Sequence, residues 1–194
     1  MEIKYPDGAT PLDPNEIDGL LLPHITTQKE LNRWEQQNIL KAEEWAFGRR
    51  HKEILGQRFI CQLHKKMFGE VWKWAGQFRR TNKNLGVDKG MVAIELANLC
   101  ADCSAWIESQ TYSNDEIAVR FHHRLVQIHP FANGNGRHAR LMADVVLKQL
   151  LSEKPFTWGK GDLGAQGDKR RQYINALKAA DAHDYSELME FVRS

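Results

Sequence analysis

The segment from residue 129 to residue 140 constrains this chain more than any other. It reads His-Pro-Phe-Ala-Asn-Gly-Asn-Gly-Arg-His-Ala-Arg. Pro130 ends any helix that precedes it, and the small residues that follow allow backbone N–H groups to be exposed. Arg137 and Arg140 stand three apart, so a helix that begins there projects both to roughly one side. The segment therefore predicts two helices joined by a loop that binds an anion at the second helix's N-terminus.

The same segment carries the residues of a reaction. His129 takes or gives a proton near neutral pH and faces the anion loop as a general base toward an attacking hydroxyl. Both arginines keep their charge and can hold two phosphates of a polyphosphate. Asn135 adds a side-chain donor. A base, an anion loop and two arginines in one short segment indicate chemistry on a phosphate ester.

Simpler interpretations explain single residues but not the whole string. The glycines alone could form a tight turn, and the arginines could pair with carboxylates elsewhere. The spacings of a P-loop and of a dinucleotide fold are both absent. The histidines lack zinc-ligand spacing. Cys100 and Cys103 lie on an apolar helical stripe, which predicts core packing rather than a redox or metal pair.

Composition excludes several classes of protein. The 194 residues carry a net charge of +2, from 27 basic and 25 acidic side chains, without the basic stripe of a nucleic-acid binder. The apolar runs are shorter than the roughly 20 residues of a bilayer span, and the start lacks a signal pattern. Three cysteines argue against a disulfide framework. We expect a soluble, cytoplasmic protein with no nucleic-acid and no membrane partner.

Helical periodicity dominates the chain and predicts a mainly α fold. We expect residues 1–26 to form an N-terminal extension and residues 27–194 a single helical domain. Capping signals and apolar spacing predict helices over residues 27–47, 52–68, 92–109, 113–128 and 137–151, with two more from 168 and over 185–192. Residues 71–87 are rich in tryptophan and then in turn formers, which predicts one short β-hairpin flap.

The 129–140 segment resembles the signature of the Fic (filamentation induced by cAMP) family, His-x-Phe-x-Asp/Glu-Gly-Asn-Gly-Arg-x-x-Arg. It matches at every specified position except one. The stretch from Trp74 to Gly86 is similar to the family's flap hairpin, and the stretch from Tyr173 to Asp181 is similar to its closing helices. The start of the chain and the helix of Trp34 resemble the bacterial subgroup called mobile mystery protein B. The resemblance implies a Fic-type helical bundle.

It also implies an activity, which is transfer of AMP from ATP to a Ser, Thr or Tyr hydroxyl of a target protein, releasing pyrophosphate. His129 would deprotonate the hydroxyl, and the flap would align the target segment by strand addition. Arg140 would hold the γ-phosphate. The remaining roles would be binding of the α- and β-phosphates by Gly134, Asn135, Gly136 and Arg137, and contact with adenine by Tyr173 and Asp181. A different donor nucleotide or phosphate ester remains an alternative.

The one departure from the signature is Asn133, which stands where the family has an acidic Mg²⁺ ligand. Its amide oxygen lacks the charge that this hard cation prefers. A catalytically weak nucleotide-binding interaction protein is therefore a further alternative. Many Fic proteins are silenced by a glutamate that pairs with the second arginine. Here the candidates are a separate antitoxin or regulator in a toxin–antitoxin module or no inhibition at all, then Asp18, then Glu190.

Overall fold

The computed structural model describes residues 10–160, 163 and 167–194. The α-helices of these residues are α1 (Pro14–Ile17), α2 (Gln28–Phe47), α3 (Gln57–Phe68), α4 (Val92–Ser109), α5 (Asn114–Ile128), α6 (Asn135–Leu150), α7 (Asp168–Asp181) and α8 (Ser186–Arg193). The mainly helical prediction is confirmed. Short 3₁₀ turns cover Lys89–Met91 and Trp158–Lys160. The division into an extension and a domain stays a prediction.

Local signals set the helix starts that matter for the site. Thr27 and Glu30 form the capping box that begins α2, with Oγ1 of Thr27 accepting from the Glu30 N–H at 3.2 Å. Ser113 accepts from the Glu116 N–H and begins α5. The predicted start of α3 was wrong by five residues, because the chain bends until Gly56, which is the N-cap residue. These helices bring both ends of the 129–134 loop to the core.

The core lies directly beneath that loop. Helices α5 and α6 pack most extensively against each other, and α2, α3 and α4 surround them. Phe68, Trp72, Phe121 and Phe131 are fully buried in this main cluster. A second cluster lies where α7 and α8 cover the far end of α5 and α6. Burial of this aromatic and aliphatic surface supplies the main drive for folding.

Helix α4 carries the two cysteines examined in the sequence. Cys100 and Cys103 are buried free thiols in the main cluster, which confirms the prediction of core packing. Among the described residues, the stretch Lys89–Ser109 is long and apolar enough to cross a membrane by length and composition. A single helix of this kind is weak evidence, because helices buried in protein cores pass the same test.

The predicted β-hairpin flap is wrong for this structure, since no strand forms within the described residues. Residues 78–88 run as bends and turns, with one isolated bridge between Phe78 and Phe131. The reason is the side chain of Arg79, which is buried and donates to the carbonyl oxygens of Thr81 and Val87. A guanidinium with five donors thus replaces the cross-strand hydrogen bonds of a hairpin. We call residues 78–88 the flap.

Buried titratable groups predict how stability depends on pH. Burial lowers the pKa of His122 to about 3, of His129 to about 4 and of His138 to about 3, and lowers that of His64 well below its usual value. These side chains take up protons only on unfolding between about pH 7 and 5, so stability falls as pH falls. Asp144 opposes them, because burial raises the pKa of its carboxyl to about 7.

We therefore expect the free energy of unfolding to fall from about pH 7 to 5 by about 1.4 kcal/mol per pH unit for each net proton taken up. Four histidines less one carboxyl leave up to three such protons. Urea denaturation at several pH values measures the slope. A free energy of unfolding that is constant over this range would contradict the burial of neutral histidines.

Candidate active site

His129 occupies the end of α5 in a left-handed conformation, with φ of 54°. Its ring is buried, and Nε2 lies 2.7 Å from Oγ1 of Thr10. Burial lowers the pKa of His129 to about 4, while the carbonyl of Val126 acts in the opposite direction. Nδ1 has no partner at full hydrogen-bond geometry among the described residues. The imidazole is therefore neutral at physiological pH and able to accept a proton through Nε2.

The loop after His129 is locked by one side chain. Asn135 accepts from the Phe131 N–H at 2.9 Å through Oδ1 and donates to the Phe131 carbonyl at 2.8 Å through Nδ2. The predicted use of this side chain as a phosphate donor is wrong, because both of its polar atoms are occupied and it is buried. Asn135 retains only its backbone N–H for an anion.

The predicted anion loop is shorter in the structure, because α6 begins at Asn135 rather than at Arg137. Gly134 is the N-cap residue of α6 with φ of 79°, and a Cβ there would lie 2.6 Å from the ring of Phe68. Only glycine fits this conformation and this approach. The first N–H groups of α6, at Asn135, Gly136 and Arg137, have no intrahelical partner and lie at the positive end of the helix dipole. A helix end of this kind can receive an anion.

A histidine that the sequence analysis did not single out supports this loop from below. His64 has Nε2 at 3.0 Å from the Asn133 carbonyl oxygen and accepts from the Gly76 N–H through Nδ1 at 2.9 Å. Its ring stacks on Phe131 with centroids 3.7 Å apart. An acceptor role for Nδ1 means that Nε2 carries the proton and donates to Asn133. The loop thus rests on a neutral, fully partnered imidazole.

Arg137 is held by a buried carboxylate that was also missed. Glu35 in α2 binds Nη1 of Arg137 at 2.6 Å and accepts from Nε1 of Trp72 at 2.6 Å. Glu35 follows Leu31 by four residues and precedes Asn38 by three, so it stands on the buried stripe of α2. A charged residue on such a stripe requires a partner, which was the available signal. The pair fixes the guanidinium beside the loop.

Arg140 lies on the same side of α6 as Arg137, at the wall of a cavity of about 1180 Å³. Its guanidinium carbon is 5.4 Å from the ring centre of Tyr173, whose hydroxyl meets Nε2 of His122 at 3.0 Å. Within the described ranges no carboxylate forms an ion pair with Arg140. Its charge is therefore available to an anionic ligand.

The cavity also contains both residues predicted to contact adenine. Tyr173 and Asp181 in α7 line it, together with the 133–137 segment and His129. Tyr173 is buried, whereas Asp181 is exposed and accepts from His123 and Gln127 at 2.9 and 2.8 Å. The structure places these residues in one cavity with the anion loop, and their roles stay predictions.

Asn133 is turned away from a metal-binding arrangement. Its Oδ1 accepts from the Gly134 N–H at 2.7 Å, and its Nδ2 donates to the Thr10 carbonyl at 3.0 Å. In the part of the chain that the structure describes, no group of three His, Cys, Asp or Glu residues is arranged to hold a metal. Asn133 offers at most one neutral oxygen to a cation.

The two predicted inhibitory residues lie elsewhere. Asp18 is exposed just after α1, and Glu190 is exposed in α8. Neither lines the cavity or forms an ion pair with Arg140 in the described residues. Inhibition by either residue needs a rearrangement that this structure does not contain.

Residues 54–147, which hold α3 to α5, most of α6 and the whole 129–140 segment, match the model of the Fic/DOC family. The chain contains a Fic/DOC family domain. A protein adenylyltransferase Fic of Drosophila grimshawi is 30% identical over 138 residues, which are 69% of this chain and 27% of that protein. The chain thus spans about a quarter of the length of this curated relative.

Solved structures share the fold. The BepC effector of Bartonella tribocorum, with bound AMPPNP, superposes with a TM-score of 0.66 at 14% identity and covers 87% of each chain. The N-terminal Fic domain of a VirB-translocated effector of Bartonella quintana, with bound ADP, gives a TM-score of 0.69 at 14% identity, over 88% of this chain and 86% of that one. These similarities establish the Fic fold.

Neutralising Glu35 tests what the ion pair does for the Fic site. We expect Glu35→Gln to lower the free energy of unfolding by about 1–3 kcal/mol, because the Arg137 charge loses its partner. The same variant should bind ATP about tenfold more tightly, because a negative charge leaves the phosphate site. Urea denaturation and titration calorimetry measure the two effects.

Glu70→Gln is the matched control, since Glu70 pairs with Lys41 at the exposed surface. It should change neither quantity measurably. Weaker or unchanged ATP binding by Glu35→Gln would show that Glu35 serves only to orient Arg137.

Proposed function

We propose that this Fic protein is a protein adenylyltransferase that moves AMP from ATP to a Ser, Thr or Tyr hydroxyl of a target protein. The observation that carries the proposal is the contact of 2.7 Å between Nε2 of His129 and a hydroxyl, Oγ1 of Thr10. The neutral base holds an alcohol beside an anion loop that can receive a triphosphate. The relatives named adenylyltransferases support the same activity.

The proton transfer follows from the state of His129. Nε2 accepts the proton of the incoming hydroxyl while the oxygen attacks the α-phosphorus. The desolvated ring is neutral before the step, so no prior deprotonation is needed at pH 7. The Arg79 Nε donates to the His129 carbonyl at 2.7 Å and holds the residue in its left-handed conformation. Pyrophosphate leaves from the opposite side of the phosphorus.

The negative charge of the triphosphate is met by fixed groups. The first N–H groups of α6 and Arg137 bind the α- and β-phosphates, and Arg140 holds the γ-phosphate and so orients the chain of phosphates. Such positioning and electrostatic stabilisation account for most of the catalysis in phosphoryl-transfer enzymes. Tyr173 and Asp181 line the same cavity, which supports a contact of these residues with the adenine base.

Mg²⁺ would enter as part of the substrate, bound mainly by the phosphates. Asn133 fits only as a single protein ligand through Oδ1, which already accepts from the Gly134 N–H. Bound there, the ion would neutralise phosphate charge. A single neutral oxygen fits a cation that keeps its waters and its phosphate ligands better than it fits a resident metal.

Two other functions remain candidates on specific observations. Asp181 has its Oδ1 taken by His123 and Gln127, so recognition of adenine is not fixed by that atom and another donor nucleotide is the first alternative. Asn133 favours the second, a nucleotide-binding interaction protein with little turnover. An assay with ATP, GTP and UTP, each labelled at the α-phosphate, separates these functions from adenylyl transfer.

We also propose that the protein is cytoplasmic and that it belongs to a toxin–antitoxin pair. The absence of an ion pair at Arg140 within the described residues supports the pairing with an antitoxin, because a carboxylate from a separate regulator can reach this position. A regulator that supplies such a carboxylate would compete with the γ-phosphate.

Replacing the base provides the direct test of the mechanism. We expect His129→Ala to lower the rate of AMP transfer by about 10²–10⁴-fold, the usual contribution of a general base. ATP affinity should change little, since the imidazole does not bind the phosphates. Labelled ATP and titration calorimetry measure the rate and the affinity. His24→Ala, at an exposed histidine, is the matched control. Undiminished labelling by His129→Ala would refute the base assignment.

Restoring a carboxylate at position 133 tests the metal argument. We expect Asn133→Asp to lower the Mg²⁺ concentration for half-maximal transfer by on the order of tenfold, because the hard cation gains a charged ligand. Titration of Mg²⁺ at saturating ATP gives this value. Asn84→Asp, in the exposed part of the flap, is the control for added charge. A half-maximal concentration that stays unchanged would remove position 133 from metal binding.

A further inference from the structure

Residues 10–16 form a segment, here called the strap, that enters the active site from outside the helical core. Thr10 makes two contacts there, through Oγ1 with Nε2 of His129 at 2.7 Å and through its carbonyl with Nδ2 of Asn133 at 3.0 Å. Thr10 is buried, with 5% of its surface exposed. Contacts of both the side chain and the backbone of Thr10 therefore hold its hydroxyl against His129.

The strap is held on the flap by charge. Lys83 in the flap binds Asp13 at 2.9 Å and Glu16 at 2.5 Å, and its side chain is only 3% exposed. Thr81 donates to Asp13 at 2.6 Å, and this bond is the main reason that the pKa of Asp13 is lowered. The buried lysine between two carboxylates and the hydrogen bond from Thr81 together form a docking site for the strap.

The side-chain amide of Asn133 can donate a hydrogen bond to the strap. Asn133 donates an N–H to the Thr10 carbonyl, which a carboxylate cannot do. The residue that departs from the Fic signature is thus the one that binds the strap. The strap contacts the flap and the base together, which is where a target segment must lie for its hydroxyl to react.

We propose that Thr10 is itself an acceptor of this active site and receives AMP within the same molecule. The inference rests on the nucleotidyl transfer proposed above and adds the identity of one substrate. With its ring proton on Nδ1, His129 accepts from the Thr10 hydroxyl through Nε2. The acceptor segment is already docked, so the chain needs only ATP to react.

The reaction balances without a further reactant. The Oγ1–H proton of Thr10 moves to Nε2 of His129 as Oγ1 bonds to the α-phosphorus of ATP. The bond between the α-phosphorus and the bridging oxygen of the β-phosphate breaks, and its electron pair leaves with pyrophosphate. The product is a phosphodiester that joins Thr10 to AMP. The proton is then released from the imidazolium to solvent.

Intact mass spectrometry and peptide mapping of the full chain after incubation with MgATP test the proposal. We expect one AMP per chain, on Thr10, with a first-order rate constant that does not change on tenfold dilution. Thr10→Ser should retain this modification, because it keeps the hydroxyl. Thr10→Val should lose it, because it lacks the hydroxyl. Thr111→Val, at an exposed threonine, should behave as the wild type.

The outcomes separate the proposal from the function on which it rests. Labelling of lysate proteins without any AMP on Thr10 would overturn the Thr10 assignment and leave the adenylyltransferase intact. A rate constant proportional to protein concentration would overturn transfer within one molecule. No transfer by wild type or by Thr10→Val, each shown by calorimetry to bind ATP, would overturn both. Circular dichroism and urea denaturation of each variant verify that it is folded.

Discussion

Two hydrogen bonds between the side chain of Asn135 and the backbone of Phe131 hold the site together. They close the loop that joins α5 to α6 and so bring the C-terminal end of one helix beside the N-terminal end of the next. The first end is the negative pole of a helix dipole and carries the base. The second end is the positive pole, which stabilises a nearby anion. The loop would otherwise lose conformational entropy with little compensation.

The electrostatics of the site follow from a division between neutral and charged groups. His64, His129 and His138 are buried, and burial keeps each imidazole neutral by lowering its pKa. Each neutral ring therefore lies at the site without adding positive charge to it. Positive potential comes instead from Arg137, Arg140 and the helix end, where a triphosphate would lie. Glu35 partly neutralises the charge of Arg137 and fixes the orientation of its guanidinium.

The sequence alone predicted those features that depend on residues close together in the chain. Capping residues and apolar spacing gave most helices, because those signals act within a few residues, and one short segment carried the base, the anion loop and both arginines. The Thr10–His129 contact joins residues 119 apart and the Glu35–Arg137 pair joins residues 102 apart, so periodicity could not reveal either. The hairpin was wrong because a buried arginine satisfies carbonyls that strand pairing would have used. The phosphate role of the Asn135 side chain was wrong because its partner is its own loop.

The position of the Arg79 side chain affects how a protein of this kind can change the segments that it docks. Its guanidinium joins the root of the flap, at the carbonyls of Thr81 and Val87, to the carbonyl of His129. The flap tip from 83 to 85 lies beyond this fixed point, whereas Asn82 and Gly86 on either side of it lie against Arg79 and His129. Mutations at the tip can therefore alter which segment is docked while the base keeps its place. Selectivity and chemistry are mechanically separate, and the first can evolve at little cost to the second.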